Sequence, residues 1–387
     1  MIVTLFLSFF VLLVLASLIA LLLHELNKSA HRKYREKKIG SHFKNPEQHL
    51  SLGRAHDNPV LREKEGWEGG AVMNPGAVED KGRVHLFYRA LGTDGASRIG
   101  YASSSDGVHF DERSAFPVFS LDEALVGLTR RHRLRRHPGL VASGGSWAGA
   151  EDPRAVIIGD RLYLSFSAFA GWDSVRMGVS SISLQDFRNR EWNWTDPVFL
   201  SAPNEVHKNW VLFPEAINGQ IAVLHSLHGA SRNEVLIEYL DSVATQPRQF
   251  IRSPYQPLRT KGVWDSALRG AGPPPLKTSK GWLTFYHATD DREPHKYKIG
   301  AMLLDLADPR KVIARSKQPI LEPSAHYEEN GAKPGIVYSC GAVVRDGVLT
   351  LYYGAADNYI CAAAAPLADF LRKLVDTRSP ILVPITT

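Results

Sequence analysis

The chain has 387 residues, 44% hydrophobic and 22% charged, which is globular composition with ample length for a large core. Its two cysteines, Cys340 and Cys361, exclude a disulfide framework and a sulfur-rich zinc cluster. The net charge of +6 is local: Lys28, Arg32, Lys33, Arg35, Lys37 and Lys38, set against Glu25 and Glu36, carry +4 of it, so the body shows no nucleic-acid footprint.

In chain order, residues 1–24 read first as a membrane anchor. Ile2 to Leu23 is an uncharged run interrupted only by Thr4, Ser8 and Ser17, long enough at ~1.5 Å per residue to cross a ~30 Å hydrocarbon core. No basic residue precedes the run, which argues against a cleaved leader. The basic residues that follow it place the body on the cytoplasmic side of a single-pass span. Residues 25–62 read as a basic juxtamembrane segment and polar stem, and 63–387 as the folded body. A second basic cluster, Arg130-Arg131-His132-Arg133-Leu134-Arg135-Arg136, reads as a solvated loop.

The body repeats a turn followed by an aromatic or alternating strand. The pieces are Lys81-Gly82 before Val84–Arg89, Gly159-Asp160 before Leu162–Phe166, Asn218-Gly219 before Ile221–His225, Lys280-Gly281 before Trp282–His287, and Asp346-Gly347 before Val348–Tyr353. Asn-Gly and Asp-Gly between such runs are strong hairpin signals. Five such units predict an all-β fold, a five-bladed β-propeller behind one transmembrane helix. In a propeller, residues distant in sequence converge at one mouth of the central channel.

Several strings are unusual for a purely structural domain: Asn74-Pro75-Gly76, Glu151-Asp152-Pro153-Arg154, Lys208-Asn209-Trp210, Gly270–Pro275 and Tyr353-Gly354-Ala355-Ala356-Asp357. Singly, each reads as a turn or an ion pair. The histidines, among them His85, His109, His207, His225, His228, His287 and His295, show no metal-ligand spacing, and no metal is expected. Ser103-Ser104-Ser105-Asp106-Gly107 reads as a turn, not a nucleophile.

Together the strings resemble glycoside hydrolase family 130, the mannoside phosphorylases and mannosidases, over roughly residues 55–375. The resemblance implies a five-bladed propeller, inversion at the anomeric carbon, and no cofactor beyond inorganic phosphate as co-substrate. It implies Asp152 as catalytic acid, protonating the leaving oxygen through a sugar hydroxyl. It implies Asn74, Arg89 and Asp357 as mannose-binding residues. A departing alkoxide must gain a proton as its bond breaks, which is the chemical need for such a carboxyl. The competing reading of Asp152 is an ion pair with Arg154.

A phosphate dianion needs clustered cations and donors. The positions that match the family's clamp are Lys208, Ser226, Leu268 (with Arg269 adjacent) and His287, so the expected phosphate site is Lys208, Arg269 and His287. The departure keeps water open as nucleophile, with Glu215, Glu234, Glu238 or Asp265 as the second carboxylate, and also a mannosyltransferase. The expected partner is a mannose-containing oligosaccharide or glycolipid. The alternative from another class is a catalytically inert, glycan-binding propeller.

Overall fold

The computed structural model describes residues 2–121, 146–172, 174–229, 231–253 and 259–376. The basic cluster at 130–136 lies outside the described residues. The chain opens with helix α1 (Ile2–Gly40), and a short strand β1 (Gly53–Arg54) follows. Among the described residues no helix is long and apolar enough to cross a membrane. This corrects the anchor expected in 1–24, and with it the single-pass membrane localisation and the cytoplasmic placement drawn from it.

The rest of the described chain is a series of antiparallel meanders. The first holds β2 (Ala71–Asp80), β3 (Arg83–Leu91), β4 (Ala96–Ser104) and the short β5 (Glu112–Arg113). The second holds β6 (Ala148–Ile158), β7 (Arg161–Phe169) and β8 (Val175–Ser183), then α2 (Leu184–Asn189) and β9 (Val198–Phe199). The third is β10 (Val211–Leu212), β11 (Ile221–Ser226) and β12 (Leu236–Leu240). The fourth is β13 (Ala267–Ala271), β14 (Leu276–Thr278), β15 (Gly281–Asp290), β16 (Glu293–Leu304) and β17 (Val312–Arg315). After α3 (His326–Glu329) the fifth is β18 (Val337–Arg345), β19 (Val348–Ala355) and β20 (Tyr359–Pro366), and α4 (Leu367–Asp376) closes the described chain.

Parallel pairing of β4 with β6 merges the first two meanders into one eight-stranded sheet, beside sheets of three, five and four strands. The fold is all-β. The predicted hairpins fall where the turn chemistry puts them. Lys81-Gly82, Asn218-Gly219 and Asp346-Gly347 all hold φ between 48° and 84° at both residues, the geometry that a two-residue hairpin turn demands.

Apolar faces of neighbouring meanders pack in pairs. Phe87, Leu164 and Phe166 join the first to the second; Met177, Trp210 and Val223 join the second to the third. Phe213, Leu224 and Trp282 join the third to the fourth; Leu283, Phe285 and Leu351 join the fourth to the fifth. Val72, Leu86, Tyr352 and Ile360 then join the fifth back to the first. The segment read from composition as a stem packs onto this body: Phe43, Leu50, Leu52 and Leu61 are buried, and β1 pairs with β20. Both cysteines are buried and unpaired with each other.

Candidate active site

The first strand of four meanders carries an irregularity at the same place. Pairing slips between Met73 and Gly76 on β2, between Glu151 and Arg154 on β6, between Leu268 and Gly270 on β13, and between Ser339 and Gly341 on β18. A bulge re-aims the side chain it carries. On β2 and β6 the re-aimed residues are Asn74 and Asp152, each at φ 50° and each followed by proline. Left-handed φ is uncommon outside glycine, with Asn and Asp the most tolerant, and it clusters at functional sites.

These strands also touch closely. A Cβ on Gly76 would stand 2.6 Å from Pro153 O, and one on Gly341 would stand 2.6 Å from Pro75 O. Asn74-Pro75 and Asp152-Pro153 are thereby held side by side. The Asn74 amide Nδ2 donates to Asp152 Oδ1 at 2.8 Å, while Asn74 Oδ1 is buried with no protein partner among the described residues. Arg89, from the middle of β3, donates to Asp152 Oδ1 at 3.4 Å and to Glu151 Oε1 at 3.0 Å. Lys208 Nζ donates to Glu151 Oε2 at 3.0 Å. Asp357, buried at φ 50° just beyond β19, feels the charges of Lys333, Arg89, Asp152 and Lys208.

The competing ion pair with Arg154 is not formed through the Asp152 carboxylate. Arg154 Nη1 donates to the Asp152 backbone carbonyl at 2.8 Å, and Nη2 donates to Asn209 Oδ1 at 2.8 Å. Its Nε reaches Gly272 O at 2.9 Å, so this fully buried guanidinium ties β6 to the segments just before β10 and just after β13.

The electrostatics separate the two carboxyls. Burial pushes Asp152 up, but Arg89, Lys208 and Arg154, with the Asn74 hydrogen bond, outweigh it and hold the carboxyl at about 2. Asp357 is pushed up by burial, which its cationic neighbours only partly offset. Two acids in one site with pKa values driven apart is the pattern expected where a proton is handled.

Beside this group lies a small open cleft lined by Lys208 and Arg269, and by His207, His225, His228 and Ser226 among others. Lys208 and Arg269 thus meet as expected. Leu268 and Ser226, the positions without a cation, line the same cleft. His207 Nδ1, His225 Nδ1 and His228 Nε2 are buried with no partner among the described residues. Burial holds the His225 imidazole down to about 4, so it is neutral near pH 7. His287 is fully buried, stacked on Tyr338 at 3.7 Å, with Nε2 against the Ser339 backbone and Nδ1 unpartnered among the described residues. Burial and the Arg154 charge bring it to about 3, so His287 offers a neutral donor or acceptor, not a cation.

None of the carboxylates considered as a hydrolase base lines the cleft. Glu215 pairs with Lys277 at the surface, Glu234 and Glu238 are exposed, and Asp265 is held by Arg232 at 2.7 Å and the Tyr286 hydroxyl at 2.9 Å. Sequence reasoning missed Glu151, the buried carboxylate that links Arg89 to Lys208, although it sits in the Glu-Asp-Pro-Arg string. It also missed Asn209, whose amide joins Arg154 to the Arg269 carbonyl, and the three cleft histidines.

A buried carboxylate, an amide and a guanidinium beside a cationic cleft supply the donors and acceptors that a polyol and an anion require. Residues 131–376 match the family described as β-1,4-mannooligosaccharide phosphorylase. A 1,2-β-oligomannan phosphorylase of Thermoanaerobacter sp. (strain X514) is 36% identical over 83% of this chain and 99% of its own. A β-1,2-mannobiose phosphorylase of the same organism is 34% identical over 81% of this chain and 96% of its own. The solved β-1,2-mannobiose phosphorylase of Listeria innocua, in complex with β-1,2-mannobiose, shares the fold at TM-score 0.61 and 24% identity, over 84% of this chain and 99% of that one. The chain belongs to glycoside hydrolase family 130. It is an enzyme of the glycosyl phosphorylase type.

Proposed function

We propose that the enzyme cleaves a β-mannoside, β-1,2-linked as in the named substrates of its two Thermoanaerobacter relatives, with inorganic phosphate as nucleophile and inversion at the anomeric carbon. The observation that carries this reading is the adjacency of two things: the Asn74–Asp152–Arg89 group, and a cleft whose Lys208 is tied to that group through Glu151.

In this reading phosphate sits in the cleft against Lys208 and Arg269, with the neutral His225 imidazole as a further donor and His287 behind. Asn74, Arg89 and Asp357 hold the mannose ring, the unpartnered Asn74 Oδ1 accepting from a sugar hydroxyl. Phosphate oxygen attacks the anomeric carbon as the glycosidic C–O bond breaks. The leaving oxygen takes its proton from Asp152 through a sugar hydroxyl. The products are α-mannose 1-phosphate and a glycan shortened by one mannose.

The low pKa of Asp152 belongs to the free enzyme. A bound phosphate dianion offsets the cations that hold Asp152 down, Arg89 and then Lys208, and raises its carboxyl toward the protonated form that donation requires. The meanders are read as five propeller blades, supported by the cyclic order in which their cores pack, first to fifth and back to the first. Asp152→Asn tests the acid: turnover of β-1,2-mannobiose is expected to fall by about 10²–10⁴-fold, and unchanged turnover would remove Asp152 from the chemistry.

A further inference from the structure

The turn after β4 builds an oriented carboxylate outside the site described above. Asp106 Oδ1 accepts from the Ser104 hydroxyl at 2.9 Å and from the backbone N–H groups of Val108 and His109 at 2.8 Å each. Three donors occupy that oxygen, so Asp106 Oδ2 is the one left to face outward. His109 Nδ1 lies 2.7 Å from Asp106 Oδ2, and His42 Nε2 lies 4.0 Å from it. His42 comes from the segment just past α1, where its carbonyl accepts from the His56 N–H at 2.9 Å. Next to His56 is Asp57, whose Oδ2 is 3.3 Å from His109 Nε2.

We propose that His42, Asp106 and His109 bind a divalent transition-metal ion of the zinc type, with Asp57 orienting His109 from behind. One ligand atom from each of the three lies within 4.8 Å of the others. Two imidazoles and one carboxylate are a zinc ligand set, and a fourth position is open to water. Ligand atoms ~2.1 Å from a tetrahedral ion sit ~3.4 Å apart, so His109 backs off slightly from Asp106 while His42 closes in. All three side chains are partly exposed and have room for that adjustment.

The bonding around His109 favours the same assignment. A metal-binding histidine donates its other ring N–H to a carboxylate, which fixes the tautomer and aims the lone pair. Without an ion, His109 Nδ1 donates to Asp106 Oδ2; with the ion bound, Asp57 takes the Nε2–H and leaves the Nδ1 lone pair for the metal. The ion would join the segment that follows α1 to the turn between β4 and β5. In the competing arrangement, a protonated His109 bridges Asp106 and Asp57 and needs no metal.

Zinc and cobalt titrations decide between them. The full chain, free of any histidine tag, is titrated with ZnCl2 by calorimetry and with CoCl2 by visible absorption at about pH 7.5. One equivalent of zinc is expected, with cobalt absorption bands of four-coordinate intensity. His42→Ala and His109→Ala are each expected to abolish saturable uptake, and Asp57→Asn to weaken it by about 10–100-fold. The exposed Asp57 keeps the test usable if a histidine variant folds poorly. No saturable uptake by the unaltered chain, or equal uptake by the His42→Ala/His109→Ala double variant, would overturn the proposal.

Discussion

Asn74 and Asp152 are joined by a 2.8 Å hydrogen bond from amide to carboxylate, although 78 residues separate them. Each sits at φ 50° on a bulge, each precedes a proline, and each lies on the first strand of its meander. The bond therefore depends on two neighbouring strands being irregular at the same level. Its function in the proposed chemistry is to hold the proton donor in one orientation.

Asn74→Ala removes that donor and the unpartnered oxygen beside it. A hydrogen bond to a charged group contributes ~1.5–3 kcal/mol, so kcat/KM for β-1,2-mannobiose is expected to fall about 10–100-fold. Steady-state kinetics on the purified variant measures this. Wild-type kinetics would separate Asn74 from both the sugar and the acid.

Gly76→Ala probes the close approach of β2 to β6. The added Cβ would stand 2.6 Å from Pro153 O and 2.9 Å from Ala155 N, both backbone atoms with no room to withdraw. Overpacking of this kind costs about 1–3 kcal/mol, and here it also displaces the strand that carries Asp152. Denaturant unfolding and activity should therefore fall together. Full stability with full activity is the result that would contradict the packing described.

Arg269→Gln tests the cleft. Arg269 is partly exposed and bonds Thr289 Oγ1 at 3.3 Å, so its loss leaves no buried charge unpaired. If it holds phosphate, the KM for phosphate rises by about tenfold or more while the KM for mannobiose changes little. Equal effects on both substrates would place Arg269 outside the phosphate site.

Acid should unfold the protein well above the pH at which its carboxylates protonate. Burial lowers His85 and His225 to about 4 and His287 to about 3, against ~6.5 in an unfolded chain. Below pH 6.5 the unfolded chain therefore binds more protons than the folded one. Stability is full above that pH and declines as the pH falls toward 4, by at most about 4 kcal/mol per pH unit for three histidines. Urea midpoints across this range measure the slope. His85→Phe, which keeps a ring against Tyr101 and Phe187, should reduce it by about one third. A flat profile between pH 7 and 5 would show that these rings are not buried neutral.

The strand-rich architecture was legible because hairpins are local. Lys81-Gly82, Asn218-Gly219 and Asp346-Gly347 announce themselves by turn chemistry alone, and the runs that follow them became β3, β11 and β19. The strings around Asn74, Asp152, Lys208 and Asp357 were legible as oddities, and the structure brings them together. What sequence could not supply is the cross-chain pairing. Nothing local says that Glu151 bridges Arg89 to Lys208, or that His207, His225 and His228 line one cleft. Nor does it say that His42 faces a turn 64 residues away. The state of Asp152 was hidden for the same reason: its pKa is set by Arg89, Lys208 and Arg154, which reach it only in the folded protein. The apolar run at the N-terminus misled in the opposite direction, because local hydropathy alone suggested a span that the described helix does not provide.

The central claim is that phosphate, held in the cleft beside Asp152, attacks the mannosyl carbon. Incubation with β-1,2-mannobiose, followed by 31P and 1H nuclear magnetic resonance with and without inorganic phosphate, tests it most directly. The account predicts α-mannose 1-phosphate plus mannose in equal amounts, and no turnover without phosphate. Release of free mannose alone, at a rate indifferent to phosphate, would contradict it.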